Sequence, residues 1–157
     1  MADKGGSIMD AVAATDNKQF IVFKLGKEEY GVDIQKVTTI EQVKLITRIP
    51  KTPAFIKGVI NLRGDIIPIM DLRCRFNMPA VEDTEDTRII IIKIEDISLG
   101  FIVDAVDEVV TIQDENMEKV SNFSNDMSLD YLLGVGKVGE RIVTLLNIDK
   151  LVKLEEN

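Results

Sequence analysis

The chain contains no histidine and no tryptophan, one cysteine, four prolines, and aromatic residues at only 5% of its 157 positions. The missing histidine is the most restrictive of these. It removes the commonest general base, every Ser-His-Asp or Cys-His nucleophile arrangement, the HExxH zinc site, and phosphorylation on histidine itself. Any catalysis would have to run on carboxylates or lysine. A lone Cys74 permits neither an intramolecular disulfide nor a multi-cysteine metal site, and a buried reduced thiol is its expected state. Runs of one kind are also missing. No window holds the ~18 apolar residues of a membrane span, and Met1 to Asn17 shows no cationic stretch leading into an apolar one, so a cytoplasmic location is expected. Asn122-Phe123-Ser124 and Arg63-Gly64-Asp65 match motifs that matter only after export, and they are discounted on that ground. Nor is there a run of Lys or Arg. With 27 acidic against 19 basic residues the net charge is -8, which opposes binding to nucleic acid or to an anionic membrane.

What is present is a set of short apolar blocks. Phe20 to Leu25, Gly58 to Leu62, Ile66 to Met70, Arg88 to Ile94, Leu99 to Val103, Val106 to Ile112 and Arg141 to Leu146 read as strands. Gly26-Lys27-Glu28-Glu29, Arg63-Gly64-Asp65, Glu95-Asp96 and Gly139-Glu140 fall between pairs of them and read as hairpin turns. Helical spacing is confined to Ile34 to Val37, Asp71 to Phe76 and Ile148 to Leu154. The expected class is all-β, with an acidic connector from Met78 to Thr87 near the middle.

The two sides of that connector resemble each other. Phe20-Ile21-Val22-Phe23, a turn, Tyr30-Gly31-Val32, then Ile34, Val37 and Ile40 is followed later by Ile89-Ile90-Ile91-Ile92, a turn, Leu99-Gly100-Phe101, then Val106, Val109 and Ile112. Phe55-Ile56-Lys57-Gly58-Val59 has its counterpart in Tyr131-Leu132-Leu133-Gly134-Val135, and Gly58 is as far from Asp71 as Gly134 is from Asn147. An internal duplication of a roughly five-stranded unit is expected. A unit of ~60 to 70 residues is marginal alone, so the halves, roughly 18–80 and 81–154, should share apolar surface, whether consecutive or interleaved. Each would curl into a small barrel, and the groove between them would be the natural ligand cleft. Residues 1–17 are expected to form a flexible N-terminal segment.

Two apparent chemical motifs weaken on inspection. Gly134-Val135-Gly136-Lys137-Val138-Gly139 fits Gly-x-Gly-x-x-Gly, but a strand pattern follows it where a dinucleotide site needs a helix, so a structural turn is expected. Asp104, Asp107, Glu108, Asp114 and Glu115 match no oxygen-ligand loop and read as solvent-facing charges.

The informative stretch runs from Thr52-Pro53-Ala54-Phe55-Ile56-Lys57-Gly58 through Val59-Ile60-Asn61-Leu62-Arg63-Gly64-Asp65 to Ile66-Ile67-Pro68-Ile69-Met70-Asp71-Leu72-Arg73. Glu29-Tyr30-Gly31-Val32-Asp33-Ile34 lies upstream, and Gly100-Phe101-Ile102-Val103-Asp104 and Tyr131-Leu132-Leu133-Gly134-Val135-Gly136 lie downstream. In this order, from about Phe20 to Leu154, the chain resembles the CheW-like domain family of chemotaxis adaptors. The resemblance implies a pair of SH3-like five-stranded β-barrels with no enzymatic activity and no cofactor. It also implies two partners, the cytoplasmic tips of methyl-accepting chemotaxis receptors and the CheW-like regulatory domain of the histidine kinase CheA. Receptor-facing positions carry over to Val37, Gly58 and Arg63, and a kinase-linked position to Gly100. The family often has a glutamate two residues after that valine, and here Thr39 stands there, so an ion pair from that position to Arg63 is expected to be absent. Asp65 and Glu41 are the carboxylates that would instead hold Arg63 internally. A detached kinase regulatory domain of the same fold is the nearest alternative, disfavoured by a chain running from Met1 to the short tail at Asn157. A carboxylate enzyme is the remaining one.

Overall fold

The computed structural model describes residues 17–119 and 131–152, so the N-terminal segment expected to be flexible lies outside the described residues up to position 16. Eleven strands run in chain order as β1 (Asn17–Leu25), β2 (Glu28–Asp33), β3 (Val37–Gln42), β4 (Ile56–Leu62), β5 (Asp65–Asp71), β6 (Arg88–Ile94), β7 (Ile97–Val103), β8 (Ala105–Gln113), β9 (Met117–Lys119), β10 (Leu132–Val138) and β11 (Arg141–Leu146). Two one-turn helices, α1 (Leu72–Arg75) and α2 (Ile148–Leu151), follow β5 and β11. Asp71 caps α1 by accepting from the Arg73 and Cys74 amides, and Asn147 caps α2 by accepting from the Lys150 amide. The helical spacing at Ile34 becomes a 3-10 turn over Ile34–Lys36, and Val37 already belongs to β3.

The sheets do not divide at the connector. One has the order β3-β6-β7-β5-β4, the other β8-β1-β2-β11-β10-β9. Since β1–β2 corresponds to β6–β7, β3 to β8, and β4–β5 to β10–β11, both sheets have the same order with their N-terminal hairpins traded. The trade is joined by parallel pairing, Ile69 beside Gly100 in one sheet and Gly31 beside Leu145 in the other. Strand register also aligns the repeats. Ile40 lies opposite Ile90 as Val109 lies opposite Ile21, so Val37 corresponds to Val106 rather than to Val109.

This exchange accounts for the unbroken apolar runs. Phe20 and Val22 face a cluster with Val110, Ile112, Val143 and Leu145, whereas Ile21, Phe23 and Leu25 face the junction. Ile89 and Ile91 pack with Ile60, Leu62, Ile67, Ile69 and Ile102, whereas Ile90 and Ile92 face the same junction from the other side. A strand buried on both faces has no reason to alternate. Each fully buried side chain contributes roughly 1.5–3 kcal/mol, and the junction cluster is the largest of the three.

The segment with Gly-x-Gly-x-x-Gly spacing is largely strand. Gly134 and Gly136 lie within β10, and the turn is confined to Gly139-Glu140. A side chain at Gly134 would place Cβ 2.1 Å from the Glu118 carbonyl oxygen, so close approach of two backbones explains that glycine.

Asp104 stitches the exchanged pieces together, contrary to the expectation of a solvent-facing charge. Arg73 of α1 donates from Nε to Asp104 Oδ1 at 3.0 Å and from Nη2 to Oδ2 at 2.6 Å, and the Gly26 amide of the β1–β2 turn donates to Oδ2 at 2.7 Å. Arg73 Nη1 also donates to the Pro79 carbonyl at 2.8 Å. Hydrogen bonds from Arg73, and secondarily that from Gly26, hold the Asp104 carboxyl below the ordinary carboxylate range against the opposing effect of burial.

Two outcomes follow from this architecture. A fragment ending near Ala80 keeps β1 to β5 but loses the β6, β7, β8 and β11 partners and half the junction, so its thermal transition should be broad and non-cooperative. A sharp transition near the full-length midpoint would count against a shared core. For Asp104, a lowered folded-state pKa means stability that is present above the unfolded value of about 3.9 and lost as pH falls through the folded value. Asp104→Asn should therefore cost about 2 kcal/mol at neutral pH, and the gap to the parent should close in acid. Chemical denaturation at a series of pH values checks it.

Candidate functional site

Along β3 the side chains alternate, with Val37, Thr39 and Glu41 half-buried and Thr38, Ile40 and Gln42 exposed. Arg63 and Gly64 form the tip of the β4–β5 hairpin with φ of 53° and 91°. Positive φ at both central residues is the two-residue turn that suits the strand twist, and it is costly for a residue with a Cβ. The equivalent hairpin has Gly139, φ 62°, where this one has Arg63. A non-glycine residue thus takes a backbone conformation that is costly for a Cβ, as Glu95 also does at φ 56° where its repeat counterpart is Gly26.

The Arg63 side chain is 73% exposed, with Nη2 3.7 Å from Glu41 Oε2, whereas the Glu41 side chain is only 13% exposed. The Thr39 hydroxyl donates to the same carboxylate oxygen at 3.1 Å, and Lys44 Nζ lies 3.8 Å from the other. The partner absent from position 39 is thus supplied by Glu41, two residues along on the same face of β3, and Thr39 helps to orient it. An exposed pair of this kind binds weakly, so Arg63 is steadied without being withdrawn from solvent.

Gly58 is buried at φ 152°, and a Cβ there would lie 2.2 Å from the Thr47 carbonyl oxygen. Thr47 and Val59 exchange both backbone hydrogen bonds at 2.8 Å. This glycine lets the segment after β3 lie against β4, and that segment displays Val43, Ile49 and, at 89% exposure, Leu45. Ile40 and Ile66 are also exposed, one beside Glu41 in β3 and one just past the hairpin turn. Val37 begins β3 opposite Ile92, half-buried at the rim of the junction. Of the predicted positions, Arg63 meets β3 through Glu41 and Gly58 backs the segment after β3, whereas Val37 lies four residues from Glu41 along β3, at the rim of the junction. Gly100 is not on this surface. It is buried in β7, where a Cβ would meet Ile69, Ile89 and Ile91 at 2.8 to 2.9 Å.

Leu45 and Ile66 were not singled out by sequence reasoning, and Glu41 only as one of two carboxylates that could hold Arg63. Strand alternation marks Glu41 as sharing a face with Val37, but the exposure of Leu45 depends on how the chain returns to β4.

Elsewhere, carboxylates expected to be solvated are paired. Arg141 binds Glu29 at 3.0 Å, Asp107 at 2.9 Å and also Glu108. Asp114 and Glu115 are exposed in a 3-10 turn. A second concavity lies at the junction, a cavity of about 620 Å3 lined by Glu28, Tyr30, Phe55, Arg75, Phe76 and Tyr131 among others. Cys74, expected to be buried, is a half-buried free thiol on its wall. Tyr30 donates to Glu28 at 2.9 Å, and burial, then this carboxylate, pushes its phenol well above the ordinary range.

Comparison with known proteins agrees with the fold. The family described as "CheW-like domain" matches residues 19–156. The chain is similar to "Chemotaxis protein CheW" of Klebsiella aerogenes, 42% identical over 142 residues that span 90% of this chain and 86% of that one. It is 34% identical to "Chemotaxis protein CheW" of Bacillus subtilis over 89% of this chain and 90% of that one. Among solved structures, the scaffolding protein TtCheW from Thermoanaerobacter tengcongensis superposes with a TM-score of 0.80 at 36% identity, covering 89% of this chain and 95% of that one. The chain belongs to the CheW-like domain family.

Proposed function

We propose that this chain couples the cytoplasmic tips of methyl-accepting chemotaxis receptors to the histidine kinase CheA, and is recruited through them to membrane-associated arrays. The coarser part, a non-catalytic adaptor role in chemotaxis, follows from the family and its scaffolding relative. A scaffold needs no turnover, since holding two weakly bound partners on one body raises their effective concentration.

The observation that carries the receptor assignment is the strained, exposed Arg63 beside half-buried Glu41, bordered by Ile40 and Ile66. A planar cation among exposed apolar side chains suits a helical partner with an acidic residue flanked by apolar ones. Val37 and Gly58 enter this reading through the family resemblance, and Gly58 additionally through the close approach of Thr47 that it permits. Gly100 is assigned to kinase coupling from the family resemblance alone, and since it packs against Ile69, Ile89 and Ile91 its effect there would be indirect. Among the described residues, Asp104, Asp107 and Glu108 are engaged by arginines, which disfavours the carboxylate-enzyme reading.

The hairpin strain allows binding and stability to be separated. Arg63→Gly removes the side chain and relieves roughly 1 kcal/mol of backbone strain, so its unfolding midpoint should match or exceed that of the parent. Arg63→Glu should fold as well, within ~0.5 kcal/mol, and add charge repulsion. Both should weaken binding to a receptor cytoplasmic fragment by about 30-fold while leaving CheA regulatory-domain binding unchanged. Unchanged receptor affinity, or parallel loss of stability and of both partners, would sink the assignment. Receptor and kinase should also form a ternary complex with this chain in co-sedimentation. Displacement of the receptor fragment by saturating CheA regulatory domain would refute the two-surface arrangement.

A further inference from the structure

Arg75 ends α1 at the place where the repeat, in α2, has the buried Leu151. A leucine suffices for the fold at that position, yet here a guanidinium occupies it. Its carbon lies 4.3 Å from the centre of the Phe55 ring and 4.3 Å from that of Tyr131. These two rings are themselves repeat counterparts, since the carbonyl of each accepts from the amide of the following helix cap, Asp71 or Asn147, at 2.7 Å. The cation is thus clamped where the two halves of the molecule meet. Among the described residues Arg75 meets no carboxylate and donates no hydrogen bond, and its Nε is buried without a partner. A guanidinium resting over two rings gains cation–π attraction without using its hydrogen-bond donors.

The cavity of about 620 Å3 in front of it falls within the ~300–1,000 Å3 of small-molecule sites. Phe55, Phe76, Tyr131 and Leu132 supply apolar wall, with Phe76 stacked between Tyr30 and Tyr131 at centroid distances of 5.7 and 6.2 Å. We propose that this cavity is a binding site for a small monocarboxylate carried on a flat apolar body, with the carboxylate taken by Arg75 and the body lying against Phe76, Tyr131 and Leu132. A carboxylate matches the planar fork of a guanidinium. A more highly charged anion fits less well, because Glu28 lines the same cavity and its repulsion grows with each added negative charge. The site is separate from the Arg63 surface and does not depend on its assignment.

Composition supplies the reporter. The chain has two tyrosines and no tryptophan, and both Tyr30 and Tyr131 line this cavity, so intrinsic fluorescence reads it directly. Titration of the full chain with 3-phenylpropionate should give a saturable change with a roughly millimolar Kd. The uncharged 3-phenylpropionamide should bind at least about tenfold more weakly, as should Arg75→Gln toward the acid, while Arg75→Lys should fall between. Amide shifts on adding the acid should concentrate at Phe55, Arg75 and Tyr131. The unfolding midpoint of each variant is measured beside its affinity. Equal binding of acid and amide by the parent, no saturable change, or undiminished binding of the acid by a folded Arg75→Gln chain would each overturn the site. If Arg75→Gln does not fold, the acid-amide comparison and the shift map on the parent still decide it.

Discussion

Each sheet depends on a hairpin contributed by the other repeat, and most other features of the molecule follow from that exchange. β1 and β6 become interior strands with an apolar cluster on each face, and neither sheet can be completed from one half of the sequence. The junction cluster, with Phe23, Phe101, Ile90 and Ile92 fully buried, is thereby part of the folding core and not an interface added afterwards. The Arg73–Asp104 pair has the same logic. It joins the helix after β5 to the link after β7 and to the β1–β2 turn, three pieces that the exchange brings together from distant parts of the chain. A partly buried pair with both oxygens engaged and a backbone donor added can stabilise, where an exposed pair such as Arg63–Glu41 cannot do much.

Duplication also separates residues that serve folding from residues that do something else. Where the two copies agree, as at Gly58 and Gly134, both of which would drive a Cβ into a backbone carbonyl, the requirement is architectural. Where they disagree, the disagreement is informative only beside a second observation, since Glu95 likewise takes the left-handed backbone of its counterpart Gly26. Arg63 takes the left-handed backbone that Gly139 takes freely, and Arg75 takes a place that Leu151 fills with hydrocarbon. One departure costs backbone strain, and the other leaves a guanidinium nitrogen without a partner. The first lies on an outer surface of exposed apolar residues and the second in a groove between the repeats.

Much was legible in the residues themselves. Short β-branched blocks separated by Gly and Asp turns reveal an all-β chain, because strand burial and positive-φ turns leave one-dimensional signatures, and the matched Gly31/Gly100 and Gly58/Gly134 segments reveal the repeat. The Asn-Leu-Arg-Gly segment carried the family resemblance, and the absence of histidine had already removed most enzymatic chemistry. Hairpin exchange was not legible, since parallel pairing of β5 with β7 and of β2 with β11 is decided by which apolar faces meet in three dimensions. For the same reason Gly134 to Val138 read as a turn although it is a strand, and Asp104 read as solvated although Arg73, distant in sequence, reaches it. Glu41 was already one of the two carboxylates expected to hold Arg63, and the structure pairs it with that residue, whereas the placing of Arg75 over two rings with its Nε unpaired belongs to tertiary structure alone. Side-chain reach and burial are properties of neighbours, and the chain order does not name a residue's neighbours.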